Sequence, residues 1–278
     1  MASSKVTMTP DFFYGTAWKE ERTAELTLLA LRSGFRAIDT ANQRRHYFEA
    51  GVGEALATAL KEGIVTRDDL FIQTKFTSPA AQDHRLPFDA FAPVARQVNQ
   101  SLTSSLKHLG VDVIDSFILH GPSSGYGWSE EDAATWRAMC AERDAGRTRL
   151  LGVSNISLDQ LKALEAAGGE RPAFVQNRCY ARFGWDREVR AYCRRHNIVY
   201  QGFSILTANA SVVRGPLVSA IAQRHKATNA QIIFRFMAGI GIVPLTGTSD
   251  AEHMRQDLAA KQFKLTAADL KALEALTS

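Results

Sequence analysis

Short apolar runs recur along the chain, and many of them stop abruptly at a polar or ionisable side chain. They fall at Phe12–Thr16, Arg36–Asp39, Leu70–Lys75, Val113–Leu119, Leu150–Val153, Ala173–Gln176, Ile198–Phe203 and Ile240–Pro244. Each has the length and apolar density of a strand buried on both faces. The stretches between them read as helices with ordinary boundary signals. Thr23 opens one that stops at Gly34, and Ser157 with Gln160 forms a capping box for one that stops at Gly168-Gly169. Thr266 with Asp269 opens the last helix, which is expected to run to the terminus.

Strand and helix alternating eight times predict an α/β fold, a single (β/α)8 barrel over residues 1–278. The rival is a doubly wound open sheet, which would carry a Gly-rich turn after its first strand. That turn here holds Gly15, Thr16, Trp18 and Lys19, with one glycine and no second. A dinucleotide bound in the Rossmann manner is therefore not expected.

The barrel reading gives the polar strand ends a purpose, because an active site of this fold is built where strands finish. Asp39, Lys75 and His120 each follow an apolar run, and Tyr47 lies eight residues beyond Asp39. A free phenol has a pKa near 10. A neighbouring ammonium favours the phenolate and makes the phenol a better acid. Lys75 could supply that charge, Asp39 could keep it charged, and His120 could donate to a developing alkoxide.

Composition narrows the context. The chain of 278 residues is 45% hydrophobic and 22% charged, enough for one large core. No apolar run approaches the ~18 residues that a membrane span needs. The first ten residues lack the apolar stretch of a secretory signal. The three cysteines, Cys140, Cys179 and Cys193, form no CxxC and cannot all pair, which favours a reducing, cytoplasmic setting. A net charge of +4 with scattered Lys and Arg does not favour nucleic acid. No metal site is expected.

Taken together, the motifs resemble the aldo-keto reductase family. The likeness runs from Gly15 and Thr16 through Phe35–Ala41 and Glu49–Leu56. It continues through Thr74-Lys75, Leu119–Pro122, Ser154-Asn155, Gln176, Gln201–Ser204 and Ile242–Pro244, and fades at about Leu258. The family is a (β/α)8 barrel that binds NADPH across the barrel mouth and reduces carbonyls with an Asp, Tyr, Lys, His tetrad. The resemblance puts Asp39, Tyr47, Lys75 and His120 in those roles. It implies that Ser154, Asn155 and Gln176 hold the nicotinamide carboxamide and that Phe203 stacks under the ring, where the family usually has Tyr. The same resemblance implies cofactor contacts at Thr16, Ser204, Leu206, Thr246, Thr248, Ser249, His253, Arg255 and Asp257. Trp18, His46, Phe76, Tyr126 and Trp128 are expected to wall the substrate pocket. The partner implied is a small-molecule carbonyl compound, and the chain is expected to be a monomer or weak homodimer.

Three departures matter. The family's Tyr usually lies five residues after Asp, a place held here by Arg44. Counting back from Val52-Gly53 lands on His46, one short of Tyr47, so both stay candidates for the acid, with Tyr47 preferred by its chemistry. The chain resembles a fungal and bacterial subgroup with a His-Tyr pair at this point. Second, Leu245 stands where the family's Lys meets the nucleotide phosphates, and His253 is nearer the place of its Arg. A weaker preference for NADPH over NADH follows. Third, the sequence ends at Ser278, without the long loop that often closes over substrate, which leaves 121–131 and 206–216 as lids. Two other functions fit the same residues: a cofactor-binding regulatory barrel with little turnover, and a redox-free lyase or isomerase.

Overall fold

Each of the eight apolar runs forms a strand in the computed structural model: β1 Phe13–Gly15, β2 Ala37–Asp39, β3 Phe71–Phe76, β4 Ile114–Leu119, β5 Thr148–Ser154, β6 Phe174–Arg178, β7 Val199–Phe203 and β8 Ile242–Thr246. They pair in parallel in chain order. The sheet closes where β8 meets β1, with Phe13 opposite Leu245. The structure describes residues 9–168 and 170–276. The first eight residues, where no secretory signal was expected, Gly169 and the chain's last two residues lie outside these.

Among the described residues, nine α-helices lie between the strands and two follow β8. They are α1 Thr23–Ser33, α2 Glu49–Lys61, α3 Val94–Leu109, α4 Glu130–Asp144, α5 Leu158–Ala166, α6 Arg187–Arg195, α7 Ala210–Val213, α8 Pro216–His225, α9 Asn229–Gly239, α10 Ala251–Ala259 and α11 Ala267–Glu274. The expected caps are in place. Ser157 and Gln160 close a capping box on α5, and Thr266 and Asp269 do so on α11. Gly34 ends α1 in the left-handed region at φ 112°. The last helix stops at Glu274, short of the terminus that the sequence pattern suggested.

Strand pleating decides which side chains can do chemistry. Successive residues face opposite sides of the sheet. In β3 this sends Phe71, Gln73 and Lys75 one way and Ile72, Thr74 and Phe76 the other. Phe71 joins a small interior cluster with Phe13, Ala37, Ile118, Phe174 and Leu245. Ile72 and Phe76 join the larger core between sheet and helices. The same alternation puts Lys75 inside the barrel above an apolar floor. Gly152 lets the floor close: a Cβ there would come within 2.2 Å of Ile118 Cδ1.

Candidate active site

Asp39 and Lys75 occupy the ends of adjacent strands, and their side chains are only 4% and 1% exposed. Lys75 Nζ donates to both Asp39 carboxylate oxygens at 2.7 Å and to the Thr40 carbonyl at 2.8 Å. The Tyr47 hydroxyl is a further hydrogen-bond partner of the same ammonium. Burial pushes the Lys75 pKa down, but the Asp39 carboxylate and the Tyr47 phenol outweigh it and hold that pKa above its ordinary value. Lys75 therefore stays charged, paired with the Asp39 carboxylate.

Tyr47 reaches this charge because the segment from Asn42 is folded back on itself. The His46 and Tyr47 amides both donate to the Gln43 carbonyl. Gln43 Nε2 donates to the Ala81 carbonyl and Asn42 Nδ2 to the Ser101 carbonyl, which ties the turn to its surroundings. Immediately after it, Glu49 begins α2 with its carboxylate buried against Thr74 of β3 and His108 of α3. The extra residues that displaced Tyr47 in the sequence are thus absorbed in one turn. Lys75 Nζ lies 5.1 Å from the centre of the Tyr47 ring, and His120 meets that ring edge-on at 5.9 Å. His46 lines the same cleft, close enough to His120 to add to the lowering of its pKa. Its ring packs against Trp18 at 4.1 Å on the rim of the cleft, where Trp18 is 70% exposed.

The phenol is less acidic than the sequence suggested. Burial raises the Tyr47 pKa above its ordinary value, Lys75 opposes this, and the Asp39 carboxylate adds to the rise. The lysine's charge does not reach the phenol alone, because Asp39 binds the same ammonium. Tyr47 accordingly keeps its proton at neutral pH.

His120 follows β4, and its Nδ1 lies 2.7 Å from the Thr77 hydroxyl. Burial, with the Lys75 charge and His46 adding to it, pushes the His120 pKa down to about 3. The imidazole is neutral and has one N–H to offer. Thr77 sits just past β3 and has no spacing or motif to mark it in the sequence.

These groups open onto a cleft of about 1190 Å³ across the carboxyl ends of the strands. Drug-sized pockets are typically ~300–1,000 Å³, so the cleft suits a larger, extended ligand. Asp39, Tyr47, His120, Ser154, Asn155, Gln176, Phe203, Ser204 and Leu206 line it. Thr246, Thr248, Ser249, His253 and Asp257 line it as well. Trp18 and His46 stand on its wall. Gln176 is held by its amide nitrogen, which donates to Asp39 Oδ1 and Gln201 Oε1, while its Oε1 has no hydrogen-bond partner among the described residues. An unpartnered amide oxygen in the cleft wall fits the carboxamide of a nicotinamide, and Phe203 beside it fits as a stacking platform.

Other expected residues lie elsewhere. Phe76 is sealed in the outer core against Phe88, because the pleat turns it away from Lys75. Tyr126 is 86% exposed and Trp128 packs against the core under its loop, so neither walls the cleft. Thr16 is buried and donates its hydroxyl to the Asp39 carbonyl, a bond that steadies the strand end. Arg255 points along its own helix to Glu252 and does not line the cleft. Leu245 packs in the barrel interior with Phe13 and also borders the cleft, where it brings no charge. The cation beside that loop is Lys19, whose Nζ donates to the Gly247 carbonyl at 2.7 Å. Burial and the Arg22 charge lower the Lys19 pKa to about 8. Arg178, at the end of β6, also lines the cleft, with its guanidinium 5.6 Å from the centre of the Phe203 ring. Both cations stood in the sequence without any motif to single them out.

A closed barrel with a buried Lys–Asp pair under a long open cleft has the form of an enzyme that works on an extended ligand. The sequence profile of the aldo/keto reductase family matches residues 11–214, and the chain belongs to that family. It is an NAD(P)H-dependent oxidoreductase. The chain is 29% identical to human "Aldo-keto reductase family 1 member C3", over 92% of this chain and 83% of that protein. It is 28% identical to cattle "Prostaglandin F synthase 1", over 96% of this chain and 88% of that protein. Among solved structures, a Brucella melitensis aldo/keto reductase superposes with a TM-score of 0.81 at 25% identity, covering 96% of this chain and 95% of that one. A Bombyx mori aldo-keto reductase in complex with NADP superposes with a TM-score of 0.82 at 24% identity, covering 96% and 89%. No helix among the described residues is long and apolar enough to cross a membrane. No group of three or more His, Cys, Asp or Glu among them could hold a metal ion.

Proposed function

We propose that the protein reduces an aldehyde or ketone to an alcohol, with NADPH as cofactor and Tyr47 as the proton donor. The observation that carries this reading is the stacked order of Asp39, Lys75 and Tyr47 beside His120 at one end of the cleft. NADPH, when bound, supplies the hydride. Ser154, Asn155 and Gln176 are the residues suited to hold its carboxamide, and Phe203 to support its ring. A carbonyl oxygen at the rim would meet two neutral donors, the Tyr47 hydroxyl and the imidazole N–H of His120. Negative charge develops on that oxygen as the carbonyl carbon is reduced. The Lys75 charge stabilises the phenolate as Tyr47 gives up its proton, so the phenol becomes a stronger acid when the oxygen needs it. Asp39 holds Lys75 in place. Trp18 and His46 cover the substrate from the rim.

At the far end, Lys19 supplies positive charge beside the loop of Thr246, Thr248 and Ser249, and α10 begins just beyond, capped by the Asp250 carboxylate. The described cation there, together with the absence of one at Leu245, supports a moderate preference for NADPH over NADH. Three free cysteines, two of them buried, suit a reducing compartment such as the cytoplasm. Work as a monomer or weak homodimer completes the reading, and sedimentation of the purified protein tests it.

The direct test follows NADPH absorbance with a panel of aldehydes and ketones. Substrate-dependent oxidation that Tyr47→Phe abolishes supports the assignment. Tight NADPH binding with no oxidation by any carbonyl would favour the regulatory barrel, and turnover without nucleotide would favour the lyase.

A further inference from the structure

Under the cleft, four side chains from four strands form one hydrogen-bonded unit: Asp39 of β2, Gln73 of β3, Gln176 of β6 and Gln201 of β7. All are nearly inaccessible to solvent, and Gln73 and Gln201 are at 0% exposure. Gln73 and Gln201 bond to each other reciprocally. Gln73 Nε2 donates to Gln201 Oε1 at 2.9 Å, and Gln201 Nε2 donates to Gln73 Oε1 at 3.0 Å. Gln201 Oε1 also accepts from Gln176 Nε2 at 2.9 Å. Asp39 Oδ1 accepts from Gln73 Nε2 at 2.7 Å and from Gln176 Nε2 at 3.0 Å.

Polar groups this deep must be paired, and an unpaired one costs more than a typical bond contributes. The four therefore have one consistent set of orientations. Asp39 is an acceptor, so the amides of Gln73 and Gln176 must present nitrogen to it. Gln201 must then present its oxygen to both nitrogens and its own nitrogen to Gln73 Oε1. Turning Gln176 over would set its oxygen against the Asp39 carboxylate and the Gln201 oxygen together. The network thus leaves the Gln176 oxygen, not its nitrogen, for the cleft.

We propose that Gln201 and Gln73 are positioning residues that fix the Gln176 amide as an acceptor for the N–H of the nicotinamide carboxamide, and through it set which face of the ring presents hydride. Neither residue lines the cleft. The inference rests on the reading of Gln176 as a carboxamide contact. It adds that an anion of the proton-transfer site, Asp39, is coupled to cofactor orientation, directly through its bond to Gln176 and indirectly through two buried glutamines that no part of the tetrad includes.

The test uses Gln201→Met, which keeps side-chain length and removes both polar atoms, beside Gln176→Ala. Dissociation constants are measured for NADPH and for 2′,5′-ADP, which carries the phosphates but no nicotinamide. Gln201→Met should weaken NADPH by roughly threefold to tenfold, the scale of one net hydrogen bond, and leave 2′,5′-ADP within about twofold. Hydride transfer from stereospecifically deuterated NADPH should lose facial selectivity in the same variant. If Gln176→Ala weakens NADPH but Gln201→Met leaves both its affinity and its facial selectivity unchanged, the positioning role is wrong. If Gln176→Ala itself leaves NADPH unchanged, the carboxamide contact is wrong instead. Should Gln201→Met fail to fold, side-chain amide NMR of the wild-type protein decides. The Gln176 Nε2 protons should exchange slowly and keep their bonds when NADP⁺ is added. A Gln176 nitrogen that exchanges freely and turns to the ligand overturns the proposal.

Discussion

The Thr77 hydroxyl lies 2.7 Å from Nδ1 of His120 and has no other hydrogen-bond partner among the described residues. The simplest pairing has the hydroxyl donating to Nδ1, which leaves the proton of the neutral ring on Nε2. Thr77 then decides which ring nitrogen can act as a donor. Thr77→Val should lower kcat about tenfold, the loss of one well-placed hydrogen bond at the reacting oxygen. NADPH affinity should not change, and Thr77→Ser should restore most of the rate. Equal rates in Thr77→Val and the wild type would remove Thr77 from the mechanism.

The low His120 pKa has a consequence for stability. Folded His120 titrates near 3, whereas an unfolded histidine titrates near 6.5. Between these values the unfolded chain binds a proton that the folded chain does not. His120 therefore contributes to stability above about pH 6.5 and loses that contribution as pH falls toward 3. Urea midpoints measured across this window should fall more steeply for the wild type than for His120→Gln. Parallel slopes would show that the imidazole is not held neutral by the fold.

Tyr47 and His46 are neighbours in sequence with opposite surroundings, one against Lys75 and His120, the other against Trp18. Tyr47→Phe should reduce turnover by about 10²–10⁴ with little change in NADPH affinity. His46→Ala should act mainly on KM, since its ring covers the rim. The reverse order of effects would assign the acid to His46.

Lys75→Met should nearly abolish turnover. It removes the charge that stabilises the phenolate and leaves Asp39 buried without its cation, a loss of roughly 3–5 kcal/mol of stability for a pair this deep. The double variant Lys75→Met with Asp39→Leu should recover stability without recovering activity. Recovery of both would make the pair structural only.

Lys19 should matter for the nucleotide and not for the chemistry. Lys19→Met should weaken NADPH by about tenfold or more, the scale of a lost charge-assisted contact, with kcat little changed. Because the ammonium loses its proton near pH 8, NADPH affinity of the wild type should decline as pH rises through that value. The decline should be absent in Lys19→Met. Affinities that ignore both the substitution and the pH would clear Lys19 of any phosphate role.

Much of the fold was legible because parallel strands buried on both faces leave dense apolar runs, and all eight were found within two residues of their observed ends. The ionisable strand ends were legible for the same reason, since Asp39, Lys75 and His120 interrupt those runs. Pocket walls were not. Phe76 and Lys75 are adjacent in sequence but the pleat turns them to opposite faces, and Tyr126 and Trp128 depend on a loop path that no local pattern sets. Lys19 was hidden because its importance comes from a carbonyl on β8's loop, 228 residues away in sequence. Gln73 and Gln201 were hidden for a similar reason. Each looks like an odd polar residue in a strand until the barrel closes and sets them face to face.

The apolar floor of Phe13, Phe71, Ile118, Phe174 and Leu245 has a bearing on how such a protein can change over generations. It plugs the barrel just beneath the polar residues, so those residues stand on a rigid base that owes nothing to the loops. The rim groups Trp18 and His46 rest on the loops alone. Mutational drift at the rim can therefore retune what enters the cleft while the proton donor and its cation stay in register. The opposite does not hold: a single enlarged side chain at Gly152 or a charge at Leu245 would lift the whole polar layer at once. Tolerance to substitution should accordingly rise sharply from floor to rim, as a gradient along the barrel axis.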